Sequence, residues 1–97
     1  MRLLLGSARA ELVERGSKFL ALARPADTVE AALALRDAER RGHHDATHHV
    51  FAVRLAGGEF RWDDDGEPAG TAGRPVLAEL EARELVDATV VVTRWFG

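Results

Sequence analysis

Four carboxylates fall within five residues at Asp63, Asp64, Asp65 and Glu67. They open the stretch "WDDDGEPAGTAGRP" (62–75), which also contains Gly66, Gly70 and Gly73. Carboxylate oxygens are hard ligands suited to Mg2+ or Ca2+, so a divalent-metal-dependent hydrolase is one chemistry this cluster could serve. The alternating aspartates of a calcium loop are absent, however, and adjacent carboxylates on an extended segment cannot all point inward. Glycines ahead of a helix can also present backbone amides to a phosphate. Their spacing here matches neither a nucleotide-binding loop with its lysine nor a dinucleotide fingerprint, and the carboxylates would repel the anion. A third reading is a specified turn, in which Asp side chains bond turn amides and Gly supplies positive φ. The loop is longer than a turn requires, and long ordered loops are commonly functional.

Other groups offer less. "HHDATHH" (43–49) brings four histidines together in sequence, and His is the commonest transition-metal ligand. The plainer reading leaves His43 and His44 in solvent and puts His49 on the apolar face of a strand. The chain contains no cysteine, which removes thiolate metal sites and disulfides, and Ser7 and Ser17 lack the glycine context of a nucleophile elbow. No catalytic residue, metal site or cofactor is assigned.

The net charge of -3 conceals an asymmetry. Residues 1–56 carry nine Arg/Lys against seven Asp/Glu, and residues 57–97 carry four against nine. Arg36, Arg40, Arg41 and Arg54 are the densest basic group and form the nucleic-acid candidate, since several phosphates must be neutralised for RNA to bind. Trp62, Trp95 and Phe96 could stack on bases, although an aromatic residue at the end of a core strand usually packs.

The elements that must position these groups follow from pattern. At 97 residues the chain supports one domain spanning 1–97. "MRLLLGSARAE" is too short in its apolar run for a secretory signal, and no run approaches the ~20 apolar residues of a membrane span. A cytoplasmic protein without membrane contact is expected. "GSKFLALAR" (16–24) reads as a strand, and "ADTVEAALALRDAERRG" (26–42) as a helix with Asp27 and Glu30 at capping-box spacing. "ATHHVFAVRLAGG" (46–58) reads as a strand with His49, Phe51, Val53 and Leu55 on one face, turning through Gly57 and Gly58 into "EFRW" (59–62). Pro75 suits the first turn of a helix whose buried stripe is Val76, Leu77 and Leu80. "DATVVVTRWF" (87–96), apolar on both faces, belongs in the middle of a sheet. The order β-α-β-β-α-β predicts an α+β sandwich with helices on one face of a sheet.

The motifs themselves resemble a family. "DDGEPAGTAGRPVLAEL" (64–80) resembles the hallmark "DDGEP-S-GTAG-x-P-x-L" of the IMPACT/YigZ family, and "VVVTRWFG" (90–97) its second signature. "GSKFLALAR" and "ATHHVFAVRL" are similar to two further strands of that family, in the same order. Asp63 and Ala69 stand where the family usually has serine, so no hydroxyl role transfers to them. The resemblance implies a fold like domain 2 of ribosomal protein S5, and a binding module linked to translation or its regulation through protein, RNA or ribosome contacts. It implies a shared surface of His48, Asp64, Asp65, Glu67, Gly70, Thr71, Gly73 and Arg94, with Arg94 bridging to Asp64 or Asp65. The family's N-terminal domain continues beyond this point into another helix. The expectation is therefore a domain truncated at its C-terminal end, with Val90, Val92 or Phe96 uncovered and self-association possible through the last strand.

Overall fold

The β-branched run that begins at Ala88 forms the axis of the structure, a computed structural model that describes residues 1–96. Seven elements follow in order: β1 (Ala8–Glu14), β2 (Ser17–Pro25), α1 (Val29–Gly42), β3 (His48–Arg54), β4 (Phe60–Asp63), α2 (Gly73–Ala82) and β5 (Ala88–Trp95). The five strands form one sheet in the order β1-β2-β5-β3-β4, with every neighbouring pair antiparallel. The chain is thus α+β, and its last strand is central, as the apolar run on both faces predicts. Gly97, the last residue of the second motif, lies outside the described residues.

Alternation along the strands sends side chains to two different layers. On one face Leu22, Phe51, Val53 and Val91 pack with Val29, Ala32 and Leu35 of α1. On the other, Ala52, Ala88 and Val90 meet Leu77, Leu80 and Val76 of α2. The two helices therefore lie on opposite faces, which corrects the one-face sandwich. Both flanks of β5 are apolar because each faces a different helix. Phe51, Val53 and Val91 are fully buried, a burial that contributes about 1.5–3 kcal/mol per side chain.

β1 was not legible as a strand. Its sequence "ARAELVE" is exposed at all seven positions, so burial imposed no alternation for a reader to find. What defines it is the β1–β2 turn, where Arg15 and Gly16 both adopt positive φ, 51° and 81°, as a two-residue hairpin connection requires. The cap of α1 also differs from expectation. Thr28, not Asp27, is the N-cap, and its Oγ1 accepts from the Ala31 amide at 3.0 Å.

Helix α2 covers only the β3–β4 side of its face. Over β1, β2 and β5 an apolar strip of Ala10, Leu12, Phe19, Ala21, Val90 and Val92 is left half-buried or exposed. Phe96 is 52% exposed. β5 is hydrogen-bonded on both edges, to β2 and to β3, so self-association by edge pairing through the last strand is sterically closed. The sheet edges are β1 and β4.

Three polar side chains, His49, Thr89 and Thr93, are buried under α1. The Thr89 hydroxyl donates to the Ala52 carbonyl at 2.8 Å, and His49 Nδ1 lies 3.2 Å from Thr93 Oγ1. Burial holds the His49 pKa below its ordinary 6.5, with Asp65 pulling it upward and Arg40 pushing it further down. The unfolded chain therefore takes up a proton at this residue more readily than the folded one. The resulting stability is complete above pH 6.5 and is lost as pH falls towards the depressed folded value. Urea melts between neutrality and pH 5 should show declining stability, and His49→Leu should flatten that decline. An equal slope in the variant would place the titration elsewhere.

Candidate functional site

The acidic loop is ordered by its own carboxylates. Asp64 Oδ1 accepts from the amides of Ala72 at 3.1 Å and Gly73 at 2.7 Å, and its Oδ2 accepts from Gly70 at 2.8 Å. The Ala72 and Gly73 donors lie at the start of α2, whose N-cap Ala72 has no side-chain cap of its own, and Gly70 lies in the loop before it. A residue eight positions upstream thus serves as the helix cap, and its anionic charge is favoured by the helix dipole. The same amide bonds, that of Gly70 first, hold the Asp64 pKa below its ordinary 3.8.

Asp65 fixes the loop to the rest of the domain. Its Oδ2 accepts from the His49 amide at 2.7 Å, its Oδ1 from Arg40 at 3.0 Å, and its carbonyl lies 2.6 Å from His48 Nδ1. A carbonyl can only accept, so His48 Nδ1 carries the hydrogen in this contact. Asp65 makes these three contacts from a left-handed backbone, φ 48°, a region Asp tolerates better than most residues. Asp63 accepts from Arg36 at 3.1 Å and from the Asp65 amide at 3.0 Å.

Glu67 closes the site against the last strand. It pairs with Arg94 Nη1, and only 9% of the Glu67 side chain is exposed. The Arg94 guanidinium carbon lies 4.2 Å from the centre of the Phe96 ring and 5.1 Å from that of Phe19. The guanidinium is thus held by a carboxylate and two aromatic rings. Arg94 bridges to Glu67 and not to Asp64 or Asp65 as expected, because those two are already saturated by loop amides, the His49 amide and Arg40. Thr71 donates its hydroxyl to the Pro68 carbonyl. Between α2, β2, β3 and β5 a pocket of about 190 Å3 opens, lined by Phe19, Val50, Glu67, Thr71, Val76 and Arg94 among others.

The eight residues expected to share a surface lie at one end of the domain, with Gly73 buried among them. Gly70 adopts positive φ, 77°, and so requires glycine for conformation. Gly73 does not. Its constraint is proximity, since a Cβ there would stand 2.7 Å from Trp62 Cδ1 and 3.0 Å from the Asp63 carbonyl oxygen.

The four arginines of the nucleic-acid candidate do not form one surface. Arg36 is bound to Asp37 and Asp63 and lies 5.3 Å from the centre of the Phe51 ring, and Arg40 is bound to Asp65. Arg54 donates to the Leu85 carbonyl at 3.1 Å on the α2 side of the sheet. Arg41 alone is exposed without a side-chain partner among the described residues. The arginines were legible as a charge cluster, but their carboxylate partners 25 and 27 residues away were not.

The carboxylates likewise point to separate protein donors, and among the described residues no three acidic or imidazole groups are placed to hold a metal ion. His43 contacts the edge of Trp95, His48 that of Phe96, and His49 is buried beside Thr93. The histidines do not converge.

This geometry predicts two distinct effects of mutation. Gly73→Ala should destabilise by about 1–3 kcal/mol through overpacking against backbone, while Asp64→Asn should lower the melting temperature and loosen hydrogen exchange at Gly70 and Gly73. Unchanged exchange at those amides in Asp64→Asn would show that the loop is held by other contacts.

The profile of the Impact N-terminal domain matches residues 15–97. The chain is 40% identical to the IMPACT family member YigZ of Escherichia coli (strain K12) across 97% of its own length and 49% of that protein's. It is 46% identical to an IMPACT family member of Thermus thermophilus across 84% of the chain and 43% of the relative. A crystal structure of a hypothetical protein superposes with a TM-score of 0.90 at 37% identity, covering 96% of this chain and 47% of the other. The two-domain translational regulator Yih1 superposes with a TM-score of 0.70 at 29% identity, covering 97% of this chain and 39% of that protein. The chain spans about half the length, or less, of the relatives it matches. Two motifs far apart in sequence, joined in the fold by Glu67 and Arg94, agree with the profile match: the chain belongs to the IMPACT family.

Proposed function

We propose that the chain is a protein-binding module working in translation or its regulation, in the cytoplasm. Its contact surface is the end of the domain where the acidic loop meets β5, formed by His48, Asp64, Asp65, Glu67, Gly70, Thr71, Gly73 and Arg94. The observation that carries this reading is the Glu67–Arg94 pair. It joins the two family motifs into one place, beside which Pro68, Ala69, Gly70, Thr71 and Phe96 are open to solvent. Structural likeness to a translational regulator supports the setting. A protein partner is favoured over RNA, because Arg36, Arg40 and Arg54 are engaged internally and the net charge is -3. A hydrolase reading lacks a convergent ligand set among the described residues.

Self-association, on this reading, takes the form of face packing over the apolar strip that contains Leu12, which is 57% exposed. A patch of this kind marks an interface. Sedimentation should show concentration-dependent dimers that Leu12→Glu abolishes, and a protein monomeric at all concentrations would remove this contact.

The test of the main reading uses the tagged protein purified from its own cells with its translation-associated partners. Ala69→Arg and Phe96→Ala should each reduce capture about tenfold or more, as central interface residues do, while Val13→Ala at the other face of the sheet should not. Capture should survive nuclease treatment. Partners that vanish with nuclease, or whose binding falls steeply with salt, would transfer the surface to RNA. Capture unaffected by Ala69→Arg and Phe96→Ala would remove the site altogether.

A further inference from the structure

The sheet edge at β4 carries an aromatic pair that the core does not consume. Ala52 stands opposite Trp62 and Arg54 opposite Phe60, so Phe60 and Trp62 point to the face that carries α2. Their rings stack with centres 6.2 Å apart and planes 9° from parallel. Trp62 is half-buried against the α2 layer, and the Arg74 guanidinium lies 5.3 Å from its ring centre. Phe60 is 51% exposed. An aromatic ring left in water on an edge strand is surface of the kind that partners cover.

The backbone beside these rings is open as well. β4 pairs with β3 on one side and forms an edge of the sheet on the other. The Leu55 amide donates to the Glu59 carbonyl at 2.8 Å, which fixes the alternation along the strand. Arg61 and Asp63 direct their backbone groups at β3, while Phe60 and Trp62 direct theirs outward. The N–H and C=O groups of both aromatic residues therefore stand at the free edge. These are the groups that an added strand would bond.

Charge selects the occupant. Arg54, Arg61 and Arg74 flank the aromatic pair, and none of them enters an ion pair among the described residues. Arg54 donates to the Leu85 carbonyl, which leaves its charge uncompensated. Against them stand Glu59, which precedes the strand, and Asp63, which Arg36 holds. The edge is therefore locally positive in a chain whose overall charge is -3. An edge arginine alone discourages chance pairing. Beside exposed aromatic surface it also selects, because a carboxylate opposite it turns the repulsion into attraction.

We infer that β4 accepts an extended acidic segment of a partner protein as an added strand, with apolar side chains on the Phe60 and Trp62 face and carboxylates on the Arg61 face. Alternation along a strand provides both at once. A second copy of the chain suits the edge less, since setting Phe60 opposite Trp62 puts Arg61 against Arg61, a repulsive pair. RNA also suits it less, because Trp62 is already engaged by Phe60 and Arg74. This edge is separate from the loop surface proposed above and stands or falls independently of it.

The probe is a hexapeptide of alternating glutamate and valine with both ends blocked. In amide NMR of the protein it should produce saturable shifts at Phe60, Arg61 and Trp62, and slow hydrogen exchange at the Phe60 and Trp62 amides. A lysine–valine peptide of the same pattern should bind about tenfold more weakly, as like charges directly opposed are unfavourable. The glutamate–valine peptide N-methylated at alternate residues, which cannot complete the ladder, should not bind. Arg61→Glu should reverse the preference and favour the lysine peptide. If that variant unfolds, Arg74→Glu, in a first helical turn where an acidic residue is favoured, should narrow the preference instead. Equal binding of the glutamate and lysine peptides, undiminished binding of the N-methylated peptide, or no shift at β4 overturns the inference. Shifts at Phe60 and Trp62 that follow protein concentration without peptide assign the edge to a second copy and overturn it too. Shifts produced there by oligouridylate and not by the peptide assign it to RNA, with the same result.

Discussion

A single carboxylate organises the loop end of this domain. Asp64 accepts from three amides contributed by a loop and a helix start, and those amides would otherwise have no partner in the fold. Buried or constrained backbone donors must be satisfied, so the position of Asp64 dictates where α2 begins. α2 in turn supplies Leu77 and Leu80 to one core layer. Pro75 and Gly73 follow as consequences, one suited to a first helical turn and the other to the close approach of Trp62.

Around this centre the remaining acidic residues divide the work of attachment. Asp65 binds the β3 amide of His49 and the α1 guanidinium of Arg40, Asp63 reaches Arg36, and Glu67 reaches Arg94 on β5. The four neighbouring carboxylates therefore each face a different set of donors. A cluster that suggests a cation site in one dimension is a set of ties in three. It leaves an outward surface of small residues, Pro68 to Thr71. A surface held so firmly is suited to recognition, because little ordering cost remains at the moment of binding.

The opposing placement of the helices has its own consequence. Since α1 and α2 lie on opposite faces, each covers only part of a five-stranded sheet, and the α2 face stays open over β1 and β2. Of the apolar residues there, Phe19, Ala21, Val90 and Val92 are half-buried and Ala10 and Leu12 are exposed. The domain thus presents two kinds of surface: a polar, ordered end and an apolar flank.

Much of this was legible from sequence, for reasons that differ by element. Apolar runs and periodicity marked β2, α1, β3, α2 and β5, because each buries a face and burial leaves a pattern, while β4, with no buried residue, was marked by the Gly57–Gly58 turn before it. β1 left none, being exposed along its whole length, and its existence depends on pairing with β2. Face assignment for the helices was also unreadable, since β3 and β5 are apolar on both sides and fit either arrangement. The motifs grouped Asp64, Asp65, Glu67 and Arg94, which the fold brings to one end of the domain, but composition could not say which carboxylate meets which arginine. That choice depends on register: Arg94 stands opposite both Phe19 and His48, which puts it beneath Glu67, while Arg40 on α1 reaches Asp65. Residue types and local spacing follow from chain chemistry within a few positions. Pairings across 25 or more residues depend on packing, and only the folded chain decides them.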